Sequence, residues 1–338
     1  MSKEDIYILG IESSCDDTAA AILKNDEVLS NCIANQEIHK KYGGVVPELA
    51  SRAHLSNIIP VVSQALDEAK INPEMLSAIA FTIGPGLIGS LLVGTEFSKA
   101  LGLSLNIPII EVNHMQAHLL VHYIKSNKKS PDFPFLGVTI SGGHTQFVIV
   151  EDYLKMNIIG ETLDDAIGEA FDKCGKIIGL DYPAGPEIDK LAKEGDCEKF
   201  DFPIPKVEGF NISYSGTKTA FMNFINNSTL KDSDFIQKNK IDICASIQKN
   251  LIDNLILKIR YASKMKSLKR IVIGGGVSAN SFLKDSLKLE ENNWEIFIPP
   301  LNYTTDNAAM IGIVGYFKYL KGMFSDYNTI ASPRLKFK

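Results

Sequence analysis

The chain has 338 residues, of which 45% are apolar and 22% are charged, a composition ordinary for a globular protein. Its length predicts two domains, and its net charge of −5 gives no overall electrostatic sign of nucleic-acid binding. The five scattered cysteines lack CxxC spacing, which argues against a disulfide framework or a thiolate zinc site. The apolar stretches are too short to span a membrane and the N-terminus has no signal-peptide pattern, so we expect a cytoplasmic protein.

The first half of the chain begins with two apolar runs joined by a small, polar turn, YILGIESSCDDTAAAIL (7–23). This pattern predicts an antiparallel hairpin. The elements expected after it are a strand at 28–35, a helix from Pro47, a strand at 78–83, a helix near 89–104, a short strand PIIEV and a helix that carries His114 and His118.

The second half repeats this order, starting with the hairpin pattern FLGVTISGGHTQFVIV (135–150). The elements expected next are a strand at 156–162, helices at roughly 164–179, 217–226 and 234–264, a strand at 270–276, a helix from Ser278, a strand EIFIP and a last helix from Asp306. Duplicated βββαβα units predict the α/β, two-lobed actin-like ATPase fold of actin, sugar kinases and heat-shock ATPases, with a central nucleotide cleft. The polar segment 125–134 is the expected boundary between an N-terminal lobe, 1–130, and a C-terminal lobe with a helical insertion, 131–338.

Two glycine-rich turns, SGGHT (141–145) and GGGVSAN (274–280), each follow a strand-like run. Glycine lets backbone amides approach an anion closely, and a helix starting at Ser278 would direct its positive end at a phosphate. We expect the turns to occupy matching positions in the two lobes, which favours a nucleotide cleft over simple strand-ending turns. The chain has no GxxxxGK[ST] motif and no GxGxxG that opens a βαβ unit, which disfavours other nucleotide-binding folds.

Carboxylates surround another Gly/Pro turn in GEAFDKCGKIIGLDYPAGPEIDKLA (168–192). Asp172, Asp181, Glu187 and Asp189 could accept hydrogen bonds from ribose hydroxyls, or they could cap helix ends. Their spacing does not separate these two interpretations.

His114 and His118 lie four residues apart, and therefore on one face of the predicted helix. The pair favours a metal site, but the spacing is not HExxH and no glutamate is placed to activate water, so a hydrolytic zinc site is disfavoured. A third ligand should be a carboxylate, and Asp306 stands at the start of a predicted helix. Two histidines and one carboxylate would suit Fe²⁺ or Zn²⁺ with open positions.

Seven motifs in order resemble the tRNA N6-adenosine threonylcarbamoyltransferase family: GIESSCDDTAAAI, GGVVPELASRAH, NHMQAHL, SGGHTQ, GEAFDK, GGGVSAN and TDNAAMIG. The resemblance implies the actin-like fold and transfer of a threonylcarbamoyl group from threonylcarbamoyl-AMP to the exocyclic N6 amine of adenosine 37, with release of AMP. The acceptors are tRNAs that read codons starting with adenine. The resemblance also implies two partners, a paralogous inactive subunit and a small P-loop ATPase, and no membrane association.

The resemblance places the metal ligands on His114, His118 and Asp306, with one divalent ion per subunit, Fe²⁺ favoured and Zn²⁺ possible. The implied substrate contacts are Thr139, Ile140, Ser141, Gly142, Gly143, Asp172, Gly185, Asp189 and Asn280. Two departures from the family's usual motifs are YPAGP, with Ala184 in place of glycine, and SYSGTKT in place of SFSGLKT.

The expected acceptor is a weakly nucleophilic aromatic amine, so a carboxylate that takes up its proton would help the transfer. Glu12 and Asp16 are the candidate catalytic residues, with Asp17 as a further choice, although all three could serve hairpin geometry alone. The alternatives left open are a small-molecule kinase of the same fold, a metalloprotease, and a non-catalytic scaffold with a structural metal.

Overall fold

The structure is a computed structural model that describes residues 5–337, and within it the chain forms two compact units. The first unit contains the chain up to Pro131, the turn Asp152–Met156 and the chain from Pro299 onward. The second unit contains Asp132–Glu151 and Asn157–Ile298.

Each unit is built around one five-stranded sheet. The strands of the first sheet are β1 (Tyr7–Glu12), β2 (Thr18–Lys24), β3 (Glu27–Ala34), β4 (Ala78–Gly84) and β5 (Ile109–Asn113). Its helices are α1 (Pro47–Ala69), α2 (Ile88–Leu105), α3 (His114–Leu120) and α9 (Ala308–Leu320). The strands of the second sheet are β6 (Phe135–Ile140), β7 (Thr145–Asp152), β8 (Lys155–Glu161), β9 (Arg270–Gly274) and β10 (Glu295–Phe297). Its helices are α4 (Ile167–Ile177), α5 (Ala184–Ala192), α6 (Ser215–Lys231), α7 (Phe235–Lys266) and α8 (Ser281–Lys288).

The two sheets have the same topology, and the predicted duplication is therefore confirmed. Their strand orders are β3-β2-β1-β4-β5 and β8-β7-β6-β9-β10, so each runs third, second, first, fourth, fifth. In both sheets the first two strands are antiparallel and the first and fourth are parallel. The central strands of the first sheet are nearly continuous apolar runs, because α1 and α2 pack on the sheet and α9 contacts β1, β2 and β4.

The first sheet shows how its two faces are filled. Leu9 and Ile11 of β1 belong to the apolar core shared with α1 and α2. Gly10 points to the other face, where a Cβ would lie 2.4 Å from the carbonyl oxygen of Ala308 and 2.8 Å from the amide nitrogen of Gly312. Glycine on β1 therefore lets α9 lie directly against the sheet.

The predicted extent of the second lobe needs a correction, because residues from Pro299 onward pack in the first unit. Helix α9 contacts β1, β2 and β4, and Ser332 donates its backbone N–H to the Ile83 carbonyl oxygen at 2.8 Å. The C-terminal segment thus completes the first core rather than the second. None of the helices in residues 5–337 is both long enough and apolar enough to cross a membrane.

Both glycine-rich turns lie in the second unit, not in matching positions of two lobes as expected from the sequence. SGGHT follows β6 and GGG follows β9, and these strands are parallel neighbours. The helix expected from Ser278 begins at Ser281, because residues 276–279 form a 3₁₀ turn and Asn280 is the N-cap. The last helix begins at Ala308, two residues after the expected Asp306.

Candidate functional site

Helix α3 begins at the residue that follows β5. The side chain of Asn113 accepts hydrogen bonds from the backbone N–H groups of Met115 (2.9 Å) and Gln116 (3.2 Å), and so caps the helix. His114 is therefore the first helical residue and His118 lies one turn later on the same side. Both imidazoles are buried.

The structure brings both histidines to Asp306. The Asp306 Oδ1 atom lies 3.4 Å from His114 Nε2 and 3.2 Å from His118 Nε2, and the two Nε2 atoms are 3.2 Å apart. Asp306 precedes α9, whose start is capped by Asn307 through a 3.0 Å bond from the Met310 backbone N–H. The three candidate ligand atoms all lie within 4.8 Å of one another.

This donor set fits a divalent metal ion. Two imidazole nitrogens and one carboxylate oxygen converge on one point, which is the ligand chemistry used for Fe²⁺ and Zn²⁺. Burial opposes ionisation of Asp306, but the neighbouring His114 outweighs it and holds the pKa of the carboxyl well below its usual value. Likewise, burial would lower the pKa of His114, but Glu12 and Asp306 raise it well above 6.5. The site therefore concentrates negative charge around the imidazoles, as a cation site does.

Glu12, at the end of β1, contacts His114 on the edge of the imidazole ring that faces away from Asp306. Its Oε2 atom is 2.9 Å from His114 Nδ1, the ring nitrogen that does not face Asp306, and accepts a 2.7 Å bond from the Thr82 hydroxyl. Its Oε1 atom accepts the backbone N–H of Ser14. Burial raises the pKa of Glu12, but the charge of His114 and its hydrogen bond outweigh burial and lower it.

The turn between β1 and β2 carries Asp16 and Asp17, both partly exposed. The buried imidazole of His54, on α1, contacts this turn and the first residue of β2. His54 Nδ1 lies 2.7 Å from the Thr18 hydroxyl, and His54 Nε2 lies 3.0 Å from the Cys15 carbonyl oxygen. The motif GGVVPELASRAH contains His54, but its sequence does not reveal this contact with the turn.

The carboxyl of Asp17 has a raised pKa. Burial raises the pKa of Asp17 to about 7, with further contributions from Asp306, Asp16 and Glu12. Asp17 is thus a carboxyl that titrates near neutral pH close to the candidate metal ligands.

In the second unit, the SGGHT turn presents exposed backbone. Ser141 donates its N–H to the His144 carbonyl oxygen (2.9 Å), and its hydroxyl accepts the His144 N–H (3.1 Å). Gly142 and Gly143 are exposed, and a Cβ on either would meet nothing within 4 Å. Gly168, in the first turn of α4, donates its N–H to Ser141. The turn and the start of α4 therefore form a backbone surface open to an anion.

Thr139 and Ile140 lie on β6 immediately before this turn and are fully buried. The Thr139 hydroxyl has no hydrogen-bond partner among residues 5–337, and neither does the Ser278 hydroxyl in the turn after β9. A Cβ at Gly275 would lie 2.5 Å from the Ile140 carbonyl oxygen, so glycine lets the two strand ends meet.

Asp172 caps a helix in this structure. Its Oδ1 atom accepts the backbone N–H groups of Ala184 (2.8 Å) and Gly185 (3.4 Å), at the start of α5. Burial raises its pKa while these two amides act in the opposite direction. Of the two interpretations drawn from the sequence, helix capping is therefore observed.

Asp189 and Asn280 also hold backbone in place. Asp189 accepts the Ser281 backbone N–H (3.1 Å) and hydroxyl (2.8 Å), which ties α5 to the start of α8. Asn280 accepts the Leu283 N–H (2.9 Å) and donates to the Gln248 side-chain oxygen (2.7 Å). The candidate nucleotide residues thus form one connected group in the second unit.

Ala184, where the sequence departs from the family motif, packs directly against α4. A Cβ built on Gly175 would lie only 2.2 Å from the Ala184 Cβ. The extra methyl group of Ala184 is therefore accommodated by the glycine that faces it.

Comparisons with known proteins decide the family. A family model described as tRNA N6-adenosine threonylcarbamoyltransferase matches residues 27–313. The chain belongs to this family. It is 58% identical, over 340 residues and 100% of both chains, to the tRNA N6-adenosine threonylcarbamoyltransferase of Christiangramia forsetii.

Solved structures support the fold. Full-length HypF, in a phosphate- and nucleotide-bound form, superposes with a TM-score of 0.63 at 13% identity, over 95% of this chain and 47% of HypF. The ROK hexokinase of Thermus thermophilus gives 0.50 at 14% identity, over 94% of this chain and 100% of the hexokinase. The expected actin-like ATPase fold is confirmed.

Proposed function

We propose that the protein transfers a threonylcarbamoyl group from threonylcarbamoyl-AMP to N6 of adenosine 37 in tRNAs that read codons starting with adenine, and releases AMP. The observation that carries this proposal is the 58% identity, over the whole chain, to a protein named for this reaction. The relatives give no support to the kinase or metalloprotease alternatives.

The metal centre is the first part of the proposal. His114, His118 and Asp306 would hold one divalent ion, Fe²⁺ in preference to Zn²⁺, through Nε2, Nε2 and a carboxylate oxygen. When bound, the ion supplies Lewis acidity toward oxygen atoms of the donor. The chain's own contribution is to bury both imidazoles and point their Nε2 atoms at the Asp306 carboxylate.

The nucleotide residues are the second part. The exposed amides of Gly142 and Gly143 are suited to bind phosphate oxygens. Thr139 and Ile140, immediately before them on β6, would position this turn. Asp172, Gly185, Asp189 and Asn280 would contact the nucleoside. Because AMP is a good leaving group in this mixed anhydride, positioning and charge stabilisation suffice without a covalent enzyme intermediate.

Proton removal from the acceptor amine is assigned to the β1–β2 turn. Glu12 has no exposed surface, whereas Asp16 and Asp17 are partly exposed. With a pKa raised to about 7 by burial and neighbouring carboxylates, Asp17 can accept a proton near neutral pH. We therefore assign the role to Asp17.

The remaining parts of the proposal concern the partner proteins and the location of the chain in the cell. The acidic chain, with a net charge of −5, favours tRNA binding shared with other proteins. The family resemblance suggests a paralogous inactive subunit and a small P-loop ATPase as these partners, and a cytoplasmic location.

The direct test incubates the purified chain with threonylcarbamoyl-AMP and an adenosine-37 tRNA transcript, with the proposed partners added in a parallel reaction. Nucleosides are then analysed by mass spectrometry, and a transcript carrying guanosine at position 37 is the matched control. Modified adenosine should appear only in the transcript that carries adenosine at position 37. Its absence in both reactions, with donor still intact, would contradict the proposal.

A further inference from the structure

Glu12 is buried behind the candidate metal ligands, and its carboxylate has no exposed surface. The atom it contacts is His114 Nδ1, while His114 Nε2 faces Asp306. To bind a metal ion, the imidazole of His114 must give up one proton, and the neutral ring that results carries one N–H and one lone pair, of which the ion requires the lone pair. Which nitrogen holds the proton therefore decides whether His114 can be a ligand.

We propose that Glu12 is a positioning residue of the metal centre: it keeps the proton of His114 on Nδ1 and so leaves the Nε2 lone pair to the ion. The inference rests on the proposed metal centre. An ionised carboxylate only accepts hydrogen bonds, so the nitrogen 2.9 Å from Oε2 must be the one that donates. The other neighbour of Nδ1 is the Ser14 hydroxyl at 3.2 Å, and a hydroxyl can donate or accept and so does not fix the proton.

The orientation of the carboxylate is set by two strands. Glu12 follows Ile11 on β1, and Thr82 follows Phe81 on β4, and Ile11 pairs with Phe81 in the parallel ladder. The Thr82 hydroxyl consequently donates to Oε2, and the Ser14 backbone N–H donates to Oε1. Each oxygen has its own donor, so hydrogen bonds from two different parts of the chain fix the plane of the carboxylate.

This arrangement makes Glu12→Gln more informative than a substitution that removes the whole carboxylate group. The Ser14 N–H requires an acceptor, so the amide oxygen of the new side chain would take the place of Oε1. The NH₂ group would then replace Oε2 and face His114 Nδ1. Since NH₂ donates, Nδ1 would have to accept, and the proton of His114 would move to Nε2, where it blocks metal binding.

The experiment measures Zn²⁺ affinity by chelator competition on the full chain at neutral pH. The variants are Glu12→Gln, His114→Ala and Glu96→Gln, the last a matched control on an exposed carboxylate of α2 in the same unit. Zn²⁺-saturated protein labelled with ¹⁵N-histidine is examined by NMR, and the His114 signals are those missing from His114→Ala. Circular dichroism checks that each variant is folded.

The wild-type chain should bind Zn²⁺ and show an Nδ1–H signal from His114. Glu12→Gln should bind about 10- to 100-fold more weakly, the range typical of residues that orient metal ligands, and Glu96→Gln should match the wild type. Unchanged Zn²⁺ affinity in Glu12→Gln, with His114 still protonated on Nδ1, would overturn the inference. Equal Zn²⁺ affinity in the wild type and in His114→Ala would instead show that His114 is not a ligand. The proposed metal centre would then be wrong, and the inference about Glu12 would fail with it.

Discussion

Substituting Gly175 by alanine perturbs the packing that holds the candidate nucleotide residues. A Cβ at position 175 would lie 2.2 Å from the Ala184 Cβ, whereas carbon atoms in contact are about 3.5–4.0 Å apart. Both carbons are attached directly to helix backbone, so α4 and α5 must separate to relieve the overlap. Overpacking of this kind costs about 1–3 kcal/mol, and the better helix propensity of alanine returns about 1 kcal/mol. Because an approach of 2.2 Å is far inside contact distance, we expect the upper end of this range, a net loss of about 2 kcal/mol in the free energy of unfolding.

The assay is urea unfolding followed by fluorescence of Trp294, which is the chain's one tryptophan and lies in the core of the second unit. Gly175→Ala, Ala184→Gly and the double variant form a double-mutant cycle. Ala184→Gly removes the methyl group that Gly175 accommodates, so it should rescue Gly175→Ala. A Gly175→Ala midpoint equal to that of the wild type, or additive effects in the cycle, would refute the packing argument.

Three further predictions concern the two candidate sites. His114→Ala and His118→Ala should each lose bound iron or zinc by elemental analysis, because each removes one of three ligands; unchanged metal content in both would remove the metal assignment. Asp306→Ala should lose both metal and donor binding, whereas Asp189→Asn should keep its metal and bind the donor roughly ten- to hundredfold more weakly, because a charged hydrogen-bond partner contributes about 1.5–3 kcal/mol. Normal donor affinity in Asp306→Ala would mean that the metal is structural. Finally, the pKa of Asp17 is raised from 3.8 to about 7 in the folded chain, so the folded chain binds this proton more tightly than the unfolded chain does. Protonation of Asp17 therefore stabilises the folded chain at low pH, and this contribution is lost as the pH rises through about 7. The metal-free Asp17→Asn variant should therefore gain stability relative to the metal-free wild type between pH 5 and pH 8, and an unchanged difference in urea midpoint would contradict the shift.

The sheets could be predicted because their strands are defined by local patterns. β1 and β6 are continuous apolar runs followed by short polar turns, and the same order of elements recurs in both halves. The place of α9 could not be predicted in the same way. Its residues from Ala308 to Gly315 are all buried, so no amphipathic face indicates which sheet it covers.

The candidate metal ligands could be predicted in part. The i, i+4 spacing brings His114 and His118 together within one helix, whereas Asp306 is indicated only by its residue type and by the family resemblance. The function of Glu12 could not be inferred, because its contact with His114 joins residues 102 positions apart. In sequence, Asp172 and Asp189 fit both a capping role and a ribose contact, and only the folded chain brings them to the amides that they bind.

The most direct measurement of the central claim follows the carbonyl carbon of the donor. Threonylcarbamoyl-AMP labelled with ¹³C at the carbamoyl carbon is incubated with the chain, its proposed partners and adenosine-37 tRNA, and AMP and labelled nucleoside are quantified together. We expect one AMP released for each labelled adenosine and no label on the protein, since direct transfer needs no covalent enzyme intermediate. AMP release without labelled adenosine, or label retained on the chain, would contradict direct transfer to the tRNA.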